Sequence, residues 1–446
     1  MKEDFLAMIN ADSTGITKLK SLFSELNTAD IAELFNDLSK EKIIQLFRIL
    51  PKPVAADVFA LMDADMRQTL IEALTDAEVG DIVNRLFVDD AVDFIEEMPA
   101  NAVKRVLQNV LPEKRKLINQ ILQYPDDSAG SIMTTEYVDL RENATVSEAF
   151  DVIRATGLNK ETIYTCYVIR WDRLLVGEVS AKTLMLAEPN ERIGDIMDTN
   201  MVFAYTTDDQ EAAAAAFKKY GLLAMPVVDK ERRLVGIITV DDIVEVIEEE
   251  NTEDFEKMNA LRPSDEPYLK TSVIRLAKNR IIWLLILMLS ATITGGIIST
   301  FENALAILPI LVAFIPMLMD TGGNAGAQSS TLIIRGMALG EIGLGDILRV
   351  LWKEIRIGAL CGVVLGLVNF MRIYLMNGKN LFLSITVTAS LFFTILMAKS
   401  VGCILPLFAK RLKIDPAIMA APLITTVVDA ASLIIYFSIA KLAFNV

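Results

Sequence analysis

The 446-residue chain contains no histidine. Its absence removes the imidazole ligand on which most zinc, copper and nickel sites depend, together with histidine-based acid–base catalysis. A metal bound here is held by oxygen. Cysteine is scarce too: Cys166, Cys361 and Cys403 lie far apart with no CxxC spacing, which argues against a disulfide framework or a zinc knuckle. The first residues, MKEDFLAMINADST, offer neither a basic stretch nor an apolar core. No cleaved signal peptide is expected, and the N-terminal region is expected to stay in the cytosol.

What is present is unevenly distributed. The chain is 53% hydrophobic, with a mean hydropathy of +0.41, yet carries 58 acidic against 43 basic residues, so two unlike regions are being averaged. Residues 271–446 hold 14 Lys/Arg and 7 Asp/Glu, leaving 29 and 51 for residues 1–270, a net charge of −22. A region so negative repels nucleic acid and suits weak divalent-cation sensing by clustered carboxylates. The competing reading is that the charge only keeps the region soluble.

Residues 28–122 repeat a short helical theme, from ADIAELFNDL and KIIQLFRILP to NAVKRVLQNVLP, with apolar residues at i, i+3 and i+4. Thr75 and Glu78 form a capping-box pair at the head of one helix. Helices this short must stack, which predicts a small all-α superhelix. Residues 131–250 contain a duplication: SIMTTEYVDLRENATVSEAFDVI is echoed by DIMDTNMVFAYTTDDQEAAAAAF, and CYVIRWDRLLVGEVSAKTLM by MPVVDKERRLVGIITVDDIV. Each half predicts a strand, a helix, two strands joined by a charged turn, and a second helix. The pair resembles tandem CBS domains, at 131–190 and 191–250, whose usual role is regulatory ligand sensing. Thr239 followed by Asp242 resembles the ribose-contacting pattern of nucleotide-binding members and points to ATP in the second copy; the first has Ser180 and Thr183, without the acid. An acidic helix ended by Pro263 and Pro267 then leads to the membrane part.

Hydropathy predicts five spans, at about 281–300, 304–334, 355–375, 381–409 and 416–440. Arg275, Lys278, Arg280, Arg335, Arg349, Lys353, Arg356, Lys410, Arg411 and Lys413 fall on one side, against Arg372, Lys379 and Lys441 on the other. The positive-inside rule therefore places the soluble part in the cytosol and the C-terminus outside. On the second span Asp320, Asn324, Gln328 and Thr331 make one polar stripe, with Gly322, Gly323 and Gly326 around it. Two readings are open: a helix-packing seam, or the wall of a hydrated cation path. On the last span Pro422, Thr425, Thr426, Ser432 and Tyr436 surround Asp429. A mid-span carboxylate costs at least roughly 2.5 kcal/mol on insertion scales, and no Lys or Arg lies in that segment to offset it. Asp429 either faces water or an ion, or is protonated and hydrogen-bonded to a neighbouring helix. Five spans are few for one transporter chain; a two-fold dimer would set two Asp429 carboxylates across one path, an all-oxygen site suited to Mg2+.

The segments DTGGNAGAQSSTLIIRGMALGEI, DPAIMAAPLITTVVDAASLIIYF and YPDDSAGSIMTTEYV, in this arrangement around a CBS pair, resemble the MgtE family of bacterial magnesium channels. The resemblance implies a homodimer in the plasma membrane. Each subunit would have an all-α N-terminal domain at 1–130, α+β tandem CBS domains, a connecting plug helix at 251–274 and a five-helix pore domain at 275–446. It implies that Asp429 is the pore carboxylate and that Asn324 lies in the pore segment. It further implies a Mg2+ sensor drawn from Asp57, Asp89 and Asp93 of the helical domain, Asp209 and Glu211 of the second CBS copy, and Asp242, Glu245, Glu250, Glu253 and Asp254 leading into the plug helix. Asp89 and Asp93 share a helix face, as do Glu250, Glu253 and Asp254.

The expected function is a Mg2+-selective channel gated closed by cytosolic Mg2+. Two alternatives stand beside it. One is a proton- or sodium-coupled efflux transporter using Asp320 and Asp429; the other is a CBS-regulated membrane enzyme with an aspartate dyad. The enzyme reading finds no nucleophile beside a base and no GxGD signature, so no enzymatic activity is expected.

Overall fold

The computed structural model describes residues 16–98, 100–264, 268–269, 271–302, 308–377, 379–419 and 421–444. The chain divides into two compact units, Met1–Ile247 and Glu248–Val446.

The first unit begins with short helices: α1 (Ile16–Phe23), α2 (Thr28–Phe35), α3 (Lys40–Phe47), α4 (Lys52–Ala60), α5 (Ala64–Ala73), α6 (Asp76–Arg85), α7 (Val88–Glu96), α8 (Ala100–Asn109) and α9 (Pro112–Ile121). Their starts recur every 12 residues, and so does a buried apolar residue: Phe23, Phe35, Phe47, Phe59, Ile71, Val83 and Ile95. The period is two to three helical turns plus a tight connection. Each repeat therefore presents its apolar stripe in the same direction. Helices pack on the next but one, α2 on α4 and α4 on α6, α3 on α5, so alternate helices form two layers with the core between them. Edge-on ring contacts, such as Phe59 with Phe94 at 5.0 Å between centroids, knit the layers. The capping box at α6 is present: Thr75 Oγ1 accepts the Glu78 N–H, while Glu78 Oε2 accepts the Thr75 N–H at 2.8 Å.

The duplication folds as two three-stranded sheets. In one, β1 (Asp139–Arg141) pairs parallel with β2 (Thr165–Ile169), which pairs antiparallel with β3 (Leu175–Ser180). In the other, β4 (Ala204–Tyr205), β5 (Ala224–Val228) and β6 (Leu234–Thr239) repeat that order. The copies share their irregularities. Register shifts fall at Val168/Ile169 and Val227/Val228, and Arg173 and Arg232 take the same left-handed conformation in the charged turns. Helix α10 (Val146–Thr156) and the short α11 (Ala181–Leu186) serve the first copy. After α12 (Ile193–Ile196), α13 (Gln210–Tyr220) and α14 (Val240–Met258) serve the second. The last helix of the second copy is much longer than its counterpart, and its extension is the acidic helix read from the sequence. It ends before Pro263; Pro267 lies outside the described residues.

Among its described residues the second unit holds five helices long and apolar enough to cross a membrane: α15 (Val273–Thr300), α16 (Ile315–Ala338), α17 (Ile347–Met376), α18 (Leu381–Arg411) and α19 (Ala421–Phe444). Their number matches the hydropathy reading, but three starts differ, the fifth helix beginning at 421 after a 3-10 turn at Pro416–Met419 instead of at 416. The first and third helices begin at 273 and 347 rather than near 281 and 355, because basic residues continue the helix past the apolar stretch that hydropathy detects. The expected start of the second span, at 304, lies outside the described residues. On α17, Gly358, Gly362 and Gly366 form a stripe at four-residue spacing that meets Leu396, Phe392 and Thr388 of α18, so these two helices approach closely.

Candidate ion path and acidic sensor

Helix α16 has two unlike faces. Gly322, Gly323, Gly326, Ser329 and Ser330 are buried. A Cβ on Gly322 would lie 2.8 Å from Thr394 of α18, and one on Gly326 would lie 2.8 Å from Ile424 of α19. Asp320, Asn324, Gln328 and Thr331 are exposed on the other face, and Asn324 Nδ2 donates to Asp320 Oδ1 at 3.2 Å. The glycines are the packing seam of this stretch, and the polar stripe is left outside it.

Asp429 on α19 is partly buried and lies within electrostatic reach of Asp320. Among the described residues no hydrogen bond or ion pair engages its carboxylate. The stripe drawn around Asp429 needs correction, because its hydroxyls are used within the protein. Ser432 is buried and donates to the Val428 carbonyl at 2.6 Å, and Tyr436 donates to the Leu311 carbonyl at 2.9 Å. Thr425 and Thr426 both donate to the Pro422 carbonyl. A helical hydroxyl within reach of the carbonyl three or four residues earlier bonds back to it, sharing an acceptor, in preference to pointing into space.

In the first unit the acids gather where α7 meets the start of α14. Burial raises Asp93 to about 7, reinforced by Glu245, Asp90, Asp242 and Glu96. Burial lifts Asp89 well above the usual carboxylate range, with Asp242, Asp90 and Glu161 adding to it. Asp242 rises to about 6 through burial, although hydrogen bonds from Thr239 oppose the shift. Asp57, exposed nearby, is raised only by partial desolvation, and its charge is felt by Asp90. Thus five of the expected sensor acids, Asp57, Asp89, Asp93, Asp242 and Glu245, share one field. Lys114 and Arg67 are cations within it, both opposing the rise at Asp90; burial lowers the Lys114 pKa, while Glu136, Asp89 and Asp90 oppose that shift. Among the described residues no group of three or more acidic or thiol side chains is spaced as a formed metal site. Asp209 has a local task, capping α13 by accepting the Glu211 N–H at 2.8 Å.

The remaining expected acids lie on the later part of α14, in the second unit. Glu253 pairs with Lys257 at 2.7 Å, and the same ammonium reaches Asp415 at 2.8 Å. Burial raises Asp254, with Asp415 adding to the effect. Glu250 lies a turn earlier on the same helix.

Sequence reasoning missed three groups. Asp90 and Glu161 join the first cluster, Glu161 being raised to about 8 by burial and by Asp241, Asp242, Asp90 and Glu136. Asp415 joins the second. In the membrane region, Glu354 and Lys399 are buried and joined through Ser329. A lysine inside LFFTILMAKSVGCILPLF was a visible signal for the last of these; its partner was not.

Five candidate spans with a polar face and a mid-span carboxylate, in one chain with an acidic part that folds as a helical repeat and a duplicated sheet unit, define a membrane cation transporter. Family models agree along the chain: MgtE, divalent cation transporter, at residues 315–439; the MgtE intracellular N domain at 26–127; and the CBS domain at 193–249. The chain is 37% identical over 353 residues to the magnesium transporter MgtE of Thermus thermophilus, covering 79% of this chain and 78% of the relative. It is 34% identical over 388 residues to that of Bacillus subtilis, covering 86% and 84%. Among solved structures, the soluble part of a magnesium transporter matches with a TM-score of 0.54 at 28% identity, covering 56% of this chain and 99% of that one. The cytosolic domain of the Mg2+ channel MgtE in complex with ATP matches with a TM-score of 0.50 at 31% identity, covering 52% and 95%. The chain belongs to the MgtE family of magnesium transporters.

Proposed function

We propose that this protein is a homodimeric channel that admits Mg2+ across a bacterial plasma membrane and is closed by Mg2+ bound to its acidic soluble domains. The single observation that carries the reading is the exposure of Asp320, Asn324, Gln328 and Thr331 on a spanning helix beside an unengaged Asp429. Carboxylate and amide groups at that depth cannot face lipid without a large penalty. A second copy placed across a two-fold axis would turn the two polar faces into the wall of one aqueous path, with paired Asp429 carboxylates in it. Such a wall, made of oxygen and amide groups, suits a hard cation that keeps most of its water, as Mg2+ does.

In this mechanism the N-terminal domains lie in the cytosol and the C-terminus outside, following the distribution of basic residues. When cytosolic Mg2+ is high, ions bind among Asp57, Asp89, Asp93, Asp242 and Glu245, and at Asp209, Glu211, Glu250, Glu253 and Asp254. They cancel repulsion and favour the closed state. When Mg2+ falls, the acids repel, the acidic helices of the two subunits separate and the path opens. Swinging the equilibrium from 1:99 to 99:1 takes roughly 5.5 kcal/mol of differential binding, within reach of several weak sites acting together. ATP binding in the second CBS copy is part of the proposal. It is supported by the hydrogen bond from Thr239 Oγ1 to Asp242 Oδ2 at 2.6 Å and by the relative solved with ATP. Asp242 would then serve nucleotide and Mg2+ alike.

The test is Mg2+ uptake into liposomes containing the full-length protein. Asp429→Ala is expected to lower uptake by about a hundredfold, on the scale of losing the group that pairs with the ion. Asp242→Ala/Glu250→Ala/Glu253→Ala is expected to keep conducting at high internal Mg2+. Wild-type inhibition in the triple variant would defeat the gating account, and uptake that follows an imposed proton or sodium gradient would favour coupled transport instead.

A further inference from the structure

The membrane region contains a second set of charges, away from Asp320 and Asp429. Glu354 on α17, Ser329 on α16 and Lys399 on α18 are 6%, 1% and 5% exposed. Lys399 lies well inside its helix; the eleven positions separating it from Lys410 correspond to roughly 16 Å of helix axis. An ammonium at that depth persists only where its charge and its hydrogen atoms are matched. Here they are matched by α16 and α17. Lys399 Nζ donates to Ser329 Oγ at 3.2 Å and reaches the Ala325 carbonyl at 3.5 Å. Ser329 Oγ donates to Glu354 Oε2 at 2.6 Å, the short distance of a hydroxyl bound to a carboxylate. The hydroxyl has a single proton. Because the ammonium occupies a lone pair of the oxygen, that proton is free to go to Glu354, and the three groups form one directed chain with no net charge.

The position of this chain on α16 matters more than its strength. Ala325 directly follows Asn324, and Ser329 directly follows Gln328, so the bonds seize the helix one residue away from each amide of the polar face. On the same buried side Gly326 packs against Gly402 of α18 and Ile424 of α19. The face that Lys399 and Glu354 grip therefore lies about 100° around the helix from the face that carries the amides, one residue's turn. A rotation of α16 by about 20° would carry a side-chain tip about 2 Å at a radius of about 6 Å. Apolar side chains of similar volume would hold three helices together as firmly. Directed bonds to one carbonyl and one hydroxyl add a defined rotational setting.

We propose that Glu354, Ser329 and Lys399 are positioning residues that set the rotation of α16, and with it the placement of Asn324 and Gln328, and so govern how the protein discriminates among hydrated divalent cations. The proposal rests on the reading of α16's polar face as the wall of the ion path.

The experiment measures uptake of Mg2+ and, separately, of Mn2+ by the full-length protein in liposomes over a range of each ion. The variants are Ser329→Ala, Lys399→Met/Glu354→Gln, Asn324→Ala and Asp429→Ala. Ser329→Ala keeps both charges and removes only the link, so it carries the test if the double variant fails to fold. The expected result in Ser329→Ala and in the double variant is a change of at least about threefold in the ratio of Mg2+ to Mn2+ uptake and in the half-saturating Mg2+ concentration. A variant that melts at lower temperature while keeping both quantities at wild-type values would reduce the chain to packing and overturn the proposal. If Asn324→Ala and Asp429→Ala are also without effect, the fault lies in the path reading. If those two impair uptake while Ser329→Ala and the double variant do not, only the positioning role fails.

Discussion

Protons and Mg2+ should compete for the acid cluster between α7 and the start of α14, and this can be read as stability. In the unfolded chain Asp93 has an ordinary carboxylate pKa of 3.8, whereas in the folded unit burial and the neighbouring acids raise it to about 7. A group whose folded pKa is raised binds more protons when folded. It therefore costs nothing below the unfolded value, destabilises progressively as pH rises toward the folded value, and costs a constant amount above it. Between pH 6 and pH 8 the loss from Asp93 is about 1.4 kcal/mol, one pKa unit's worth. Glu161, raised to about 8, adds to the loss over the same interval, discounted to about 1 kcal/mol because it retains solvent contact. Asp90 and Asp242, both near 6, have lost much of their contribution by the start of this interval. Together the two leading groups amount to about 2–3 kcal/mol, or about 5–10 °C in Tm for a unit of this size.

The assay is thermal unfolding of the soluble region in EDTA at pH 6, 7 and 8, with and without millimolar Mg2+. Without metal, Tm should fall as pH rises. With metal, the stabilisation by Mg2+ should be largest at pH 8 and shrink toward pH 6, because the ion must displace the protons that the cluster holds there. Asp93→Asn should raise the metal-free Tm at pH 8 and reduce the increment from Mg2+, since it removes a buried charge and a ligand together. A metal-free Tm that is flat or rising between pH 6 and 8, or a Mg2+ increment independent of pH, would refute the reasoning.

Two further outcomes follow from packing. Gly402→Ala would press a methyl group against the Gly326 carbonyl of α16, and should cost roughly 1–3 kcal/mol, read as a lower melting temperature of the full-length protein in detergent. Phe59→Ala removes a ring packed between Phe47 and Phe94 in the repeat core, and should cost about 3–5 kcal/mol, read as a lower Tm of the soluble region with its CBS fold retained.

Local and periodic features were legible from the residues. The apolar stretches announced five spans, the echoing segments announced two copies of one sheet unit, and Thr75 with Glu78 announced a helix start. Each depends on residues near one another in the chain, where helix and strand periods dictate which side chains share a face. Even here the hydropathy of the first span stopped short of the helix, because hydropathy reports solvent preference and not hydrogen bonding. The 12-residue period of the helical region was also present in the sequence, in the spacing of Phe23, Phe35, Phe47 and Phe59.

The sequence determined which groups the protein must accommodate: acids concentrated in a soluble region, and a carboxylate and amides inside membrane helices. Tertiary structure alone decided their partners. It joined Asp93 to Glu245 across about 150 residues of chain and brought Asp415 to the Lys257 ammonium, which Glu253 already meets one helical turn away. It set Lys399 against Ser329 and Glu354, and left Asp429 without a hydrogen-bond or ion-pair partner among the described residues. The reason is that a charge acts through distance and local dielectric, and neither is defined until packing brings remote segments together and excludes water from between them.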